Sequence, residues 1–241
     1  MAPKIRIHVE QPLREGQSFP LEPSQAHYLF SVMRRASGDR IEAFDGRHGG
    51  WDCEIAELGR KGGHLVARGQ VSAQRDPPDL WLCFAPIKKA RTDFIVEKAT
   101  ELGAARIRPM RTDFTNSERI RRDRLRAHAI EAAEQCGGTF VPEIDDIVPF
   151  DRMLDDWPED RRIMFCDEAL AGADEASFPD LPAGPWAILI GPEGGFSEAE
   201  RTRLGRMPGA HAVRLGPRIL RADTAAVAAL TLWQDRLGDW R

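Results

Sequence analysis

An α/β architecture is predicted for this chain of 241 residues: a domain with a largely parallel sheet, preceded by a small β-rich domain. Three observations predict it. From Leu80 onward, short apolar runs alternate with helix-length amphipathic segments. Two late glycine-rich turns each follow a strand-like run and open a helix, as βα connections do. Before about residue 70 the texture differs, with short strand-like runs separated by glycine turns.

In the first part, Ser24 is the expected N-cap of a short helix through Ala26, Leu29, Val32 and Met33 that Gly38 stops. Strands are expected at Arg40 to Phe44, Trp51 to Leu58 and His64 to Gln70. Arg75-Asp76-Pro77-Pro78-Asp79 reads as a linker, because consecutive prolines hold the chain extended and cannot continue a ladder. Beyond it, Leu80 to Ala85 reads as a strand, and Lys89 to Leu102 as a helix with Phe94, Ile95, Ala99 and Leu102 inward and Gly103 as its stop. A strand at Arg106 to Met110 and a helix from about Arg119 to Cys136 follow. Three more strands, Ile163 to Cys166, Trp186 to Ile190 and His211 to Leu215, and two helices, Glu198 to Leu204 and Thr224 to Leu237, complete the order.

Composition narrows the class. With 42% hydrophobic and 30% charged residues and no apolar stretch near the length of a membrane span, a soluble, cytosolic protein without a membrane partner is expected. Cys53, Cys83, Cys136 and Cys166 are scattered, with no Cys-x-x-Cys pair, so buried thiols are expected in place of a metal site or disulfides. The net charge of -4 is unevenly spread: residues 143 to 180 hold 13 acidic and 3 basic side chains. Between Arg106 and Arg126, eight arginines face Asp113, Glu118 and Asp123. That density suits a track for phosphates and equally suits a solvated helix face with internal ion pairs.

The chemistry concentrates in the two turns. Gly191-Pro192-Glu193-Gly194-Gly195 ends the run Trp186 to Ile190, and Leu215-Gly216-Pro217-Arg218-Ile219-Leu220-Arg221 ends the run from His211. Ser197 and Glu200 form a capping-box pattern, so the first turn also reads as a plain strand-to-helix connection. The G-x-G-x-x-G spacing of a dinucleotide site and the Gly-Lys-Ser/Thr of a phosphate loop are both missing. The two turns together suggest one pocket.

At these motifs the sequence resembles the SPOUT methyltransferases, specifically the bacterial small-subunit (16S) ribosomal RNA uracil-N3 methyltransferase family. His27 with Met33-Arg34, Phe44-Asp45-Gly46, Lys88, Lys98 with Glu101-Leu102-Gly103, Glu134-Gln135-Cys136-Gly137 with Val141-Pro142, and the two turns carry the resemblance. Two positions depart from it: Gly138 stands where the family usually has Arg, and Asp223 where it usually has Glu.

The resemblance implies a PUA-like β-barrel domain for RNA at 1–73, a linker at 74–79 and a SPOUT-type α/β catalytic domain at 80–241, whose C-terminal part forms a trefoil knot. It implies S-adenosylmethionine as cofactor, no metal, a homodimer, and 16S ribosomal RNA or the small ribosomal subunit as partner. The cofactor would be held by Phe165 and the loop after it, by Leu189, Ile190, Gly191, Pro192 and Gly194, and by Leu215, Gly216, Ile219 and Leu220. Such a ligand needs apolar walls and close main chain, which these residue types supply.

Methylating uracil N3 requires loss of its proton and builds negative charge on O2 and O4. Arg218 and Arg221 are the candidates to stabilise that charge. Glu193 and Asp223 are candidate bases. Glu193 could instead hold its turn, and Asp223 could instead cap the helix at Thr224. Arg34 and Arg35 of the first domain, with Lys88, Lys89 and Arg91 of the second, are expected to contact RNA phosphates. A ribose 2′-O-methyltransferase and a non-catalytic RNA-binding assembly factor remain alternative readings.

Overall fold

The computed structural model describes residues 5–117, 119–167, 169 and 183–240. Two compact units divide the chain, Met1–Asp76 with Ala133–Val141, and Pro77–Ala132 with Pro142–Arg241.

The first unit carries one sheet of five strands: β1 (Arg6–His8), β2 (Ser18–Pro20), β3 (Arg40–Phe44), β4 (Gly50–Gly59) and β5 (Gly62–Ser72), in the order β1-β3-β4-β5-β2. β1 runs parallel to β3, and the other pairs are antiparallel. Three register shifts between β4 and β5 add local twist, which lets long strands bend around a core. Alternate residues Ile41, Ala43, Cys53, Ile55, Leu65 and Ala67 point inward with Ile7, Leu13, Phe19 and Leu29, all buried. Full burial of each large aliphatic among them stabilises the unit by roughly 1.5–3 kcal/mol.

Residues 133–141 join this unit through hydrogen bonds from Arg6 to the carbonyls of Ala133 and Gly138, both 2.9 Å, and from the His8 amide to Glu134 at 2.9 Å.

The expected helix after Ser24 differs in detail. Helix α1 (Pro23–His27) begins two residues earlier, with Pro23 in its first turn and Glu22 as N-cap. It then widens into a π-helical turn, Tyr28–Val32, whose extra residue per turn rotates Val32 outward to 59% exposure.

The second unit holds β6 (Leu80–Phe84), α2 (Lys89–Glu101), β7 (Arg106–Arg111), α3 (Arg122–Cys136, ending in the first unit), β8 (Glu143–Ile144), β9 (Val148–Pro149), α4 (Phe150–Asp155), β10 (Arg162–Cys166), β11 (Trp186–Ile190), α5 (Glu198–Gly205), β12 (Ala210–Val213) and α6 (Ala222–Arg236). Its strands lie in the order β12-β10-β11-β6-β7-β8, with β9 beside β7, and every pair is parallel. The continuous burial of Trp186 through Ile190 is what a central parallel strand covered on both faces requires.

Four expectations are corrected here. Phe94 faces outward at 39% exposure, and its ring lies 5.5 Å from the Lys98 ammonium. α3 starts at Arg122, so Arg119 and Arg121 precede the helix. β12 ends at Val213, leaving Arg214 and Leu215 in the turn. Cys136 is exposed, while Cys53, Cys83 and Cys166 are buried as expected. Residues 168 and 170–180 of the acidic stretch lie outside the described residues.

The alanine face of α6 packs within the chain. Ala222, Ala225, Ala226 and Ala229 are buried, and α6 lies against α2 and β11. Buried Gln234 donates to the Leu102 carbonyl at 2.7 Å and accepts from the Asp239 amide at 3.1 Å. Gly103, at φ 74°, sits under that side chain: a Cβ there would fall 2.8 Å from Gln234 Nε2.

Candidate active site

Parallel register fixes where the chemistry collects. Cys166 stands beside Ile190 on one side and Val213 on the other, while Phe84 also pairs with Ile190. The segments leaving β6, β10, β11 and β12 therefore emerge at one edge, the carboxyl ends of the strands, where open α/β sheets form ligand crevices.

A cleft with about 360 Å³ of empty space, its open mouth included, lies at that edge. It is lined by Cys166 and Asp167 after β10, by Val213, Arg214, Leu215, Gly216, Arg218, Ile219 and Leu220 after β12, and by Ala225 of α6. Burial pushes the Cys166 thiol up to about 12, so this cysteine stays neutral and supplies wall, not a nucleophile. Gly216 takes φ 111°, a left-handed backbone that brings main chain to the cleft without a side chain.

Among the expected cofactor residues, Leu215, Gly216, Ile219 and Leu220 line this cleft together with Arg218. The Phe165 and Leu189 side chains instead enter the core, where the Phe165 ring meets that of Phe196 at 6.5 Å. Ile190, Gly191 and Pro192 are buried at the end of β11. The turn closes by a bond from the Gly195 amide to the Pro192 carbonyl at 2.9 Å. Gly191 is required by close approach, since a Cβ there would lie 3.1 Å from the Gly195 carbonyl carbon. A Cβ on Gly194 would meet the Phe114 Cβ at 3.2 Å.

The turn is anchored from β7 as well. The Asp113 amide donates to Glu200 at 2.8 Å and the Ser197 hydroxyl lies 2.6 Å from the Asp113 carboxylate. Both arms of the Ser197–Glu200 capping box are present. The Glu200 carboxylate thus accepts two amides, those of Asp113 and Ser197, which explains how it can be 6% exposed.

The two candidate bases share one guanidinium. Arg91 Nη1 lies 3.4 Å from Glu193 Oε1, and Arg91 Nε lies 3.7 Å from Asp223 Oδ2. The Asp223 side chain is 20% exposed and that of Glu193 52%. Asp223 sits in the first turn of α6 and accepts the Thr224 amide at 2.9 Å. Arg221 is the N-cap of that helix and is exposed, as is Arg218.

Lys88, the N-cap of α2, and Lys89 are exposed. In the first unit, exposed Arg34 adopts φ 51° and is the one described non-glycine residue in the left-handed region. Arg35 lies 3.8 Å from Asp39.

Two features escaped the sequence reading: Arg214 at the cleft and the bridging position of Arg91, whereas Asp167 falls in the loop after Phe165 that is expected there. For Arg214 the signal was adjacency to a strand end. For Arg91 no sequence signal links it to residues more than a hundred positions away. Among the described residues no group of side chains forms a metal site, and no helix is long and apolar enough to cross a membrane.

Comparison with known proteins agrees with this geometry. Residues 74–234 match the model of an RNA methyltransferase domain, and residues 21–67 that of an RNA methyltransferase PUA domain. A ribosomal RNA small subunit methyltransferase E of Synechocystis is 30% identical over 218 residues, 87% of this chain and 70% of that protein. The one of Bacillus subtilis is 28% identical, covering 92% and 91%. Among solved structures, a ribosomal RNA small subunit methyltransferase E from Neisseria gonorrhoeae bound to S-adenosyl methionine superposes with TM-score 0.87 at 26% identity, covering 99% of this chain and 100% of that one. A putative methyltransferase from Legionella pneumophila in complex with the same cofactor gives 0.88 at 27%, with the same coverage.

Proposed function

The chain belongs to the RNA methyltransferase family, and on that premise we propose that it transfers a methyl group from S-adenosylmethionine to N3 of a uridine in 16S ribosomal RNA. The carrying observation is the cleft at the carboxyl edge of the parallel sheet, lined by Arg218 and by Ala225 of α6, the helix that Arg221 caps and that holds Asp223 in its first turn.

The residues present fit the cofactor. Val213, Leu215, Ile219, Leu220 and Ala225 give apolar wall for a flat adenine, Gly216 exposes main chain, and Asp167 offers a carboxylate to a cationic group. Cys166 is neutral and does not compete for the electrophile. When bound, S-adenosylmethionine supplies an electrophilic methyl group.

This chain's own residues then have separable tasks. Asp223 accepts the N3 proton: Thr224 occupies one of its oxygens and Arg91 faces the other, which holds the carboxylate in one orientation with lone pairs to spare. Arg218 and Arg221 donate to the ring oxygens on which charge develops. Glu193, more exposed and on the far side of Arg91, positions that guanidinium. Lys88 and Lys89 contact phosphate from the second unit, and Arg34 and Arg35 from the first. The target base must be unpaired, because N3 lies on its pairing edge.

The same resemblance supports a cytoplasmic homodimer with a knotted C-terminal half. Primer extension on ribosomal RNA from a strain lacking the gene tests the reaction, since an N3 methyl stops reverse transcription. One stop lost in the deletion strain is expected; an unchanged pattern would refute the assignment.

A further inference from the structure

The arginines of the dense segment between Arg106 and Arg126 have no role in the site above. On the opposite face of α2 from Arg91, Pro86, Ile87, Thr92, Ser117, Ile120 and Leu125 form part of the wall of a second groove of about 690 Å³, measured with its open mouth. Lys89, Arg119, Arg121 and Arg124 line it, against one carboxylate among the described residues, Asp93.

The charges are not equivalent. Arg124 is paired with Asp93, whose side chain is 7% exposed and which also faces His128 Nε2 at 3.6 Å. Arg121 is held by Asp123 at 2.7 Å. Lys89 and Arg119 make no ion pair among the described residues and are exposed at the groove. Half-buried Ile87 and Ile120 form apolar wall beside them. A site with two cations that have no ion pair among the described residues, a carboxylate already paired with Arg124 and an apolar face suits a group that is anionic at one end and flat and apolar at the other.

We infer that this groove is a subsite for a single-stranded nucleotide of the RNA substrate, its phosphate on Lys89 and Arg119 and its base against Ile87 and Ile120. α2 separates it from Arg91 by about one helix diameter, ~10 Å, so a strand presenting its target base at the cleft passes the groove with a nearby nucleotide. The inference rests on the proposed activity, places the phosphate contact of Lys89, and assigns Arg119, Ile87 and Ile120, to which that activity gives no role.

The test uses the full chain, fluorescent hexauridylate as single-stranded probe, and anisotropy titrations between 50 and 200 mM salt. R119E and K89E are each expected to weaken binding and to reduce the slope of log affinity against log salt by about one. I120A should weaken binding about fourfold or more with the slope unchanged. S-adenosylmethionine affinity by calorimetry should stay as in the wild type throughout. Thermal melts check folding, and R119Q replaces R119E if the charge reversal unfolds the chain.

Folded charge variants with unchanged affinity and slope would overturn the groove. So would I120A binding as tightly as the wild type. If wild-type protein methylates ribosomal RNA while these variants bind normally, the groove alone fails; if wild-type protein transfers no methyl group, the activity fails.

Discussion

Arg91 Nε lies 3.7 Å from Asp223 Oδ2, joining the start of α2 to the start of α6. The same guanidinium reaches Glu193 at 3.4 Å, so one cation orients both carboxylates. The sequence assigns Arg91 to RNA phosphate; in the proposed mechanism this pairing makes it a positioning residue for Asp223.

Replacing Arg91 with alanine should therefore lower kcat by up to ~100-fold, as displacement of a supporting group does, with a smaller change in S-adenosylmethionine affinity. R91K, which keeps charge but loses the planar fork, should recover only part of that loss. Steady-state kinetics on ribosomal RNA separate the two terms. A rise in KM alone would return Arg91 to an RNA-contacting role.

Lys88→Glu should weaken RNA binding and its salt dependence while S-adenosylmethionine affinity holds, because the exposed N-cap side chain of α2 is absent from the cofactor cleft. Parallel RNA and cofactor titrations check this. Equal loss of both would contradict the division of labour.

Gly191→Ala places a methyl 3.1 Å from the Gly195 carbonyl carbon, inside the turn closed by the Gly195–Pro192 hydrogen bond. The turn backbone must shift by a few tenths of an ångström, at an expected cost of about 1–3 kcal/mol in urea unfolding, and cofactor affinity should fall with it. Stability and affinity both at wild-type values would show that the turn has slack.

Asp45 gives a pH test in the first unit. Burial pushes its carboxyl up, but the amides of His48, Arg47 and Leu13 and the His48 ring hold it below the ordinary value. A depressed folded pKa contributes stability above the unfolded value, about 3.9, that disappears as pH falls through the folded one. D45N should be less stable than wild type by roughly 1.5 kcal/mol or more at neutral pH, and the gap should shrink below about pH 3.9. Urea midpoints across pH read it directly; a constant gap would contradict it.

Most of the fold was legible because its signals are local. The runs at Arg40 to Phe44 and Trp186 to Ile190 appear as strands with those bounds, and the Ser197–Glu200 box caps its helix. What failed was set by tertiary context. Val32 and Phe94 are apolar yet exposed, and no pattern announces a π-helical turn or an outward aromatic stabilised by Lys98. β8 and β9 are two residues each, too short for periodicity to register. At the site, the second turn was readable as a cleft wall. Phe165 and Leu189 could not be told from core, because a strand end contributes alternate residues to pocket and interior.

The most direct test of the account is nucleoside mass spectrometry of small-subunit ribosomal RNA after incubation with this protein and S-adenosylmethionine carrying an isotopically labelled methyl group. Label recovered as 3-methyluridine at one position, with none after Asp223→Ala, is the predicted result. Label on a ribose 2′-oxygen, or no label in the RNA, would contradict it.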